Sequence, residues 1–313
     1  MIIPTNMDFG KYLEDISYLE SQDLHWADHW ADKINDRIVN GKKHTGERLP
    51  WDKTQHQFRL RSAELTIWGG ANGHRKSMIL GQIMAWLAQK SRVCIASLEM
   101  RPEETLYRMA RQVAGCSPSP DFARQFVDWG NERILIYDQL DTVDAMKILG
   151  MVHYAAKELG CKHIVIDSLT KCGLPHEDYT AEKNFVDRLQ WAAKHYQIHI
   201  HLVCHIRKGM DENRLPDKFD IKGTGSITDM ADNVVICWKN KSKETAKRKQ
   251  KEHKNLTSDE VELLDKPDQI LSVRKQRNGE FEDYIALWFR EDGLQFEEAD
   301  GRGVAPIQIG TVQ

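Results

Sequence analysis

No run of apolar residues in the 313-residue chain approaches the length needed to span a bilayer, and the opening MIIPTNMDFGKYLED lacks a charged start followed by an apolar core. The expectation is a cytoplasmic protein with no membrane partner, in the host cytoplasm or nucleoid if a phage encodes it. Paired cysteines are lacking as well. The six cysteines include no CxxC, and Cys94, Cys204 and Cys237 lie inside apolar runs (RVCIAS, HLVCH, VVICW), the pattern of reduced core thiols. Charge of one sign is nearly balanced at a net −3, so contact with nucleic acid has to come from local basic patches. No internal repeat is visible. A composition of 41% hydrophobic and 29% charged residues suits a soluble globular protein of one large domain, or a domain plus an appendage.

What is present begins at residues 65–77, LTIWGGANGHRKS, which read as a buried strand running into a phosphate-binding loop. Gly70, Lys76 and Ser77 stand where the GxxxxGK[ST] pattern wants them, with Ala71, Asn72, Gly73 and His74 between, but the glycine expected before the lysine is Arg75. Such a loop turns successive backbone N–H groups around a β-phosphate, adds the positive end of the following helix, and reaches the terminal phosphates with the lysine ammonium. A side chain at position 75 either strains and crowds that turn or has been recruited to fork onto the γ-phosphate. The apolar spacing of Met78 to Gln89 predicts a helix, with the Ser77 hydroxyl placed to reach Mg²⁺. The cofactors implied are ATP or another NTP or dNTP, with Mg²⁺.

Along the chain, residues 8–40 suit an amphipathic helix or helix pair, broken by Gly41 to Pro50. From Leu65, strands and helices alternate: strand LTIWGG, helix 78–89, strand RVCIASLEM, helix 103–114, a helix near 121–129, strand RILIYD, helix 142–159, strand HIVIDSL, helix 181–195, strand IHIHLVCH, strand NVVICW, a basic stretch and strand QILSVRKQ. That order implies an α/β fold with a mostly parallel sheet covered on both faces by helices. The division expected is an N-terminal helical linker over 1–44, a nucleotide-binding domain over 45–297 and a tail over 298–313.

Two carboxylates join the loop. The run His163 to Asp167 fills a buried strand and delivers Asp167 at its C-terminal edge, where open α/β sheets bind ligands, in the position of a Walker B metal-holding acid. Strand 92–99 ends in Glu99, which can accept a proton from an attacking water. His195, His199, His201 and His205 crowd one stretch, but His199, His201 and His205 share one side of the strand while Ile198, Ile200 and Leu202 share the other. That alternation predicts a sheet with a polar face, and no cysteine or carboxylate nearby has zinc-site spacing.

The phosphate loop, SLEMRPEETLYRM (97–109), HIVIDSL, HLVCHIRK (201–208), DIKGTGSITDMADNVV (220–235) and Lys275-Gln276-Arg277-Asn278-Gly279 together resemble the ordered motif set of the DnaB-type replicative helicase domain, the group that includes Twinkle and the phage primase-helicases. The resemblance covers about residues 45–297 and implies a RecA-like fold. It makes Lys76 and Ser77 the phosphate and Mg²⁺ ligands, Glu99 the catalytic base, Asp167 the metal-positioning acid and His205 the sensor of the γ-phosphate. Arg277, with Lys275 beside it, becomes the finger that enters a neighbouring subunit's site, so a homo-oligomeric ring, a hexamer by the resemblance, is implied. The activity implied is an NTP hydrolase that translocates 5′ to 3′ on single-stranded DNA and unwinds duplex, with a primase or loader supplied separately. Arg75 departs from the pattern, and no primase or zinc-binding module precedes the helicase-like part.

DNA contact is expected in Lys222-Gly223-Thr224-Gly225-Ser226, where glycines and hydroxyls can present backbone N–H groups to phosphate, with Arg207 and Lys208 adding charge. The Lys/Arg-dense run 239–254 reads as a mobile surface insertion able to strengthen salt-sensitive DNA binding. The competing function is a DNA-binding RecA-like ATPase module with weak turnover, such as a recombination mediator or helicase partner, and Arg75 is the feature that favours it.

Overall fold

The computed structural model describes residues 26–39, 45–175, 178–207, 211, 213–223, 225–299, 301, 304 and 306–309. Most of the chain from Glu47 onward is built on one nine-stranded sheet of order β11-β10-β9-β8-β3-β7-β6-β4-β5. Its parallel part comprises β3 (Glu64–Gly70), β4 (Val93–Ser97), β5 (Ile134–Ile136), β6 (His163–Asp167), β7 (His199–His205) and β8 (Asn233–Lys239). Three antiparallel strands extend it beyond β8: β9 (Gln269–Gln276), β10 (Tyr284–Arg290) and β11 (Gln295–Glu297). A short ribbon of β1 (Glu47–Arg48) and β2 (Arg59–Leu60) lies apart.

Both faces of the sheet are covered. Along β6, Ile164 and Ile166 join one core cluster and Val165 the other, the period of two that a pleated strand dictates. The helices that follow α1 (Ala31–Val39) are α2 (Lys76–Leu87), α3 (Pro102–Ala114), α4 (Pro120–Gly130), α5 (Ala145–Lys157), α6 (Tyr179–Tyr196), α7 (Gly225–Met230), α8 (Lys241–Lys251) and α9 (Ser258–Leu264). Hydrophobic residues of α5 and α6 pack on the first face, and those of α2, α3 and α4 on the second. Leu49, Trp51, Phe58 and Leu60 belong to the second core, and the Trp51 indole donates to the Phe296 carbonyl at 2.7 Å, tying the start of the domain to β11. Ile307 and Ile309 also pack against that core, so the tail expected after residue 297 meets the domain at these two residues. Of the expected N-terminal helix, residues 8–25 and 40 lie outside the described residues; α1 buries none of its side chains, and Ile34 and Ile38 are exposed in line with Trp30, which ends the short 3-10 turn before it.

Three expectations need correction. The strand pattern does not end with QILSVRKQ, because β10 and β11 follow it. The basic run is not a mobile insertion: Lys241–Lys251 is the ordered helix α8. Lys243 and Lys247 meet Asp268 at 3.3 and 2.7 Å, Lys249 meets Glu260 at 2.5 Å, and Lys251 meets Glu291 at 2.6 Å, so much of the positive charge is already paired. Nor does β7 present a polar face. His199 and His201 are fully buried and join a hydrogen-bonded cluster, His199 Nε2 with Thr66 Oγ1 at 2.8 Å, Trp68 Nε1 donating to His201 Nδ1 at 3.2 Å, and His163 Nδ1 with His201 Nε2 at 3.3 Å. A strand between parallel neighbours has helices on both sides, so its polar residues must find partners inside.

Burial lowers the pKa of His163 to about 3 and of His199 to about 4, and moves His201 the same way. Unfolded imidazoles take up protons near the ordinary 6.5, so between these values the unfolded chain binds more protons and stability falls as pH drops, by up to about 1.4 kcal/mol per pH unit for each histidine. The melting temperature is expected to fall from pH 6.5 towards pH 4, and less steeply in His163→Phe. Equal slopes in the two proteins would contradict a neutral buried cluster.

Candidate nucleotide and DNA site

The parallel strands all point the same way, so their carboxyl ends meet at one edge. Register places Gly70 of β3 opposite His205 of β7, and Ser97 of β4 opposite Asp167 of β6. Lys76, Ser77, Glu99, Asp167 and His205 therefore line one cleft of about 290 Å³, with Asn72, Gly73, Arg75 and Arg108. Sequence reasoning assigned no role to Arg108, although it lies within the SLEM motif and adds a further cation to the cleft beside Lys76 and Arg75.

The loop's conformation follows from its residues. A Cβ on Gly70 would stand 2.6 Å from the Cys237 carbonyl oxygen, so the strand can enter the turn only as glycine, and Gly73 has φ +78. The His74 ring is fully buried; its Nδ1 accepts from the Lys239 N–H at 3.2 Å, and the His74 carbonyl accepts from Gln269 Nε2 at 3.3 Å, which staples the loop to β8 and β9. Helix α2 starts at Lys76, two residues before the helix expected from apolar spacing, so Ser77 lies in its first turn.

Arg75 has φ 63 and ψ 22, the left-handed conformation that normally selects glycine and costs another residue about 1–2 kcal/mol. Its guanidinium lies 3.8 Å from the centroid of Phe289 on β10, with an Nη2 to Glu244 Oε1 distance of 3.8 Å. Cation–π stacking contributes about 0.5–2 kcal/mol, comparable to the backbone strain it offsets. Arg75 lines the cleft, but its guanidinium is turned onto Phe289 of β10 and Glu244 of α8 and is not forked towards the phosphate lysine.

The cradle's charges are linked by hydrogen bonds. Lys76 Nζ donates to the Gly70 and Ala71 carbonyls at 2.8 and 3.0 Å and lies 3.4 Å from His205 Nδ1. His205 Nε2 lies 3.4 Å from Glu99 Oε1 and 3.2 Å from Ser168 Oγ, and the Ser168 hydroxyl donates to Glu99 at 2.8 Å. Hydrogen bonds from His205 and Ser168 hold the Glu99 carboxyl at a pKa of about 2, so it is ionised at neutral pH and able to accept a proton. Ser168 was missed in the sequence because Glu99 and His205, its partners in the cleft, lie on two other segments. Burial raises the Asp167 carboxyl above the ordinary range, against the Ser77 hydroxyl that donates to it and the nearby Lys76. A buried carboxylate beside a serine hydroxyl fits a divalent cation, whose charge would hold Asp167 ionised, as the Lys76 ammonium fits a phosphate.

The DNA-loop residues join this site through backbone. Ile206 bridges Ile221, the Arg207 N–H donates to the Asp220 carbonyl at 2.9 Å, and the Lys222 N–H donates to the His205 carbonyl at 2.7 Å. Gly223 has φ +113, and Gly225 and Ser226 begin α7. Lys208 and Thr224 lie outside the described residues. Phe219, unremarked in the sequence, is 71% exposed in the same loop.

Lys275 and Arg277 are not in the cleft. Gln276 pairs with Asn233 at the start of β8, and Arg277 N–H donates to the Asp232 carbonyl, placing both residues at the opposite edge of the sheet. The five-residue span from Leu65 to Gly70 separates the edges by roughly 17 Å at ~3.3 Å per residue, beyond the reach of an arginine side chain. Arg277 therefore cannot serve its own chain's cleft.

Fold and loop define a RecA-like P-loop nucleotide-binding architecture. The model of the DnaB-like helicase C-terminal domain matches residues 55–298, and the chain belongs to that family. It is 24% identical over 204 residues to the DNA helicase/primase of Enterobacteria phage T3, an alignment covering 58% of this chain and 36% of that protein. The chain thus matches about a third of that relative's length. Among solved structures, one described as an ATPase domain superposes with a TM-score of 0.69 at 13% identity, covering 88% of this chain and 99% of that one. A DnaB-like replicative helicase, described with its interactions with primase, superposes at 0.67 and 13% identity over 92% of this chain and 70% of that one. Identities this low speak for the fold alone.

Because the Arg75 guanidinium stacks outside the cradle, Arg75→Gly is expected to leave hydrolysis at or above the wild-type rate. Turnover and nucleotide affinity measured together check this. A tenfold rate loss, about 1.4 kcal/mol in the barrier, in a folded variant would make Arg75 part of the phosphate machinery.

Proposed function

We propose that this chain is the motor of a replicative-type DNA helicase, hydrolysing NTP with Mg²⁺ to translocate 5′ to 3′ on single-stranded DNA as a hexameric ring and separate duplex. The observation that carries this reading is that His205 touches the phosphate lysine, the Glu99 carboxylate and, through its carbonyl, the DNA-loop residue Lys222. One residue thus bridges the nucleotide cleft and the DNA loop.

Lys76 and the loop N–H groups of Gly70 to Ser77 hold the phosphates. Ser77 and Asp167 hold Mg²⁺, which when bound neutralises charge developing on the terminal phosphates. Glu99 takes the proton of the attacking water, and His205 reports the γ-phosphate to the loop. Lys222, Gly223, Thr224, Gly225 and Ser226, with Arg207 and Lys208, grip the strand by its backbone, and Phe219 offers a stacking surface beside them. Arg277 and Lys275, out of reach of their own cleft, serve a neighbour's. The exposed line of Trp30, just before α1, with Ile34 and Ile38 of α1 packs on that neighbour, as an exposed amphipathic face suits. The second reading, a DNA-gripping ATPase of weak turnover, draws on the left-handed Arg75, and hydrolysis with and without single-stranded DNA separates the two.

Lys76→Ala is expected to lower turnover at least ~100-fold with an unchanged melting temperature, since it removes the buried cation of the cradle. Arg277→Ala is expected to bind nucleotide yet lose DNA-stimulated turnover by about 10³-fold or more, the size of an arginine-finger effect. Mixing the two variants should restore activity where an intact site meets an intact finger. Mixed rings without recovery would place Arg277 outside catalysis.

A further inference from the structure

Helix α7 joins two functional segments that are distant in sequence. Its first residues, Gly225 and Ser226, belong to the DNA loop, and six residues at 1.5 Å rise carry it about 9 Å to its C-terminal end. There the carbonyls of the last turn are taken by the finger residues: Lys275 Nζ donates to Thr228 O at 3.0 Å and Asp229 O at 2.6 Å, and Arg277 Nη2 donates to Asp229 O at 3.2 Å and Met230 O at 3.3 Å. Cations at a helix C-terminus satisfy its open carbonyls and meet its negative end.

The third contact is a charge pair. Asp232 lies two residues beyond the end of α7, and its side chain is 4% exposed. Oδ1 accepts from Arg277 Nη1 at 2.9 Å, while Oδ2 accepts from the Leu65 N–H at the start of β3 at 3.0 Å. The guanidinium, 42% exposed, is thus held on one side by a buried carboxylate and carbonyls, with its other side open to solvent. A buried carboxylate fixed to the central strand is a rigid support, unlike a surface ion pair.

We propose that Asp232 is the positioning residue for the Arg277 finger, and that α7 makes the finger's placement depend on the DNA loop at its other end. This rests on the reading of Arg277 as a residue acting on a neighbouring subunit. Strand binding at Lys222 to Ser226 shifts or stiffens α7; the carbonyls of Thr228, Asp229 and Met230 move with it, and Lys275 and Arg277 follow. DNA contact in one subunit thereby tunes hydrolysis in the next, with no direct contact between DNA and nucleotide.

The test is Asp232→Asn, which retains an oxygen for the Leu65 N–H but removes the charge facing Arg277. DNA-stimulated kcat is expected to fall at least tenfold, with KM for the nucleotide within about twofold and the ring intact. A general loss of structure would follow the variant subunit, whereas a positioning defect must follow the finger it supplies. Mixed with Lys76→Ala subunits, Asp232→Asn should recover activity, and mixed with Arg277→Ala it should not. If Asp232→Asn does not fold, Asp232→Glu, which keeps the charge but displaces it by one methylene, takes the same tests. Recovery by Arg277→Ala with Lys76→Ala but not by the Asp232 variant, or a KM change in place of the kcat change, would overturn the inference. Absence of DNA-stimulated hydrolysis in the wild-type chain would instead overturn the helicase reading.

Discussion

The Lys76 ammonium is nearly withdrawn from water, and the two carbonyls it donates to carry dipoles, not charge. Burial lowers its pKa, so the folded chain holds a cation whose best partner is an anion delivered from outside. Most of the sheet's carboxyl edge can be understood from that constraint. Gly70 lets the backbone pass the Cys237 carbonyl closely enough for the lysine to turn back over the loop. Asp167 and Glu99 stand near enough to temper the charge, yet each is committed to a hydroxyl or imidazole hydrogen bond, leaving the phosphate position open.

Communication through this molecule runs along short backbone contacts. The His205 side chain faces the cleft while its carbonyl receives the Lys222 N–H, so strand β7 joins the cleft to the proposed DNA loop within one residue. At the other edge, α7 and Asp232 hold the cations that have no role in their own cleft. A ring of such chains would alternate cleft and finger around its circumference, each interface completing a site that neither chain completes alone.

That the loop and the two carboxylates share one edge of the sheet was legible because each is a local signal. A glycine loop, a buried strand ending in Asp167 and a strand ending in Glu99 each declare themselves within about ten residues, and parallel pairing brings such strand ends together. What escaped depends on distant partners. Arg75 looked like a defect or a phosphate ligand because Phe289 lies more than two hundred residues away, and the two contribute to one loop only after β10 joins the sheet. The basic run looked mobile because Asp268, Glu260 and Glu291, which pair it, lie outside it. The alternating histidines marked a polar face without saying what it meets, since period two alone cannot tell water from a buried polar cluster. Strand β10 was missed because much of it is only partly buried, and β11 because three residues of which two are polar carry no apolar run.

Strand displacement tests the central claim most directly. A labelled forked duplex with a 5′ single-stranded tail, mixed with the chain, Mg²⁺ and ATP, should release its strand, and the same duplex carrying only a 3′ tail should not. DNA-stimulated hydrolysis without displacement from either fork would contradict a helicase and favour the DNA-gripping ATPase.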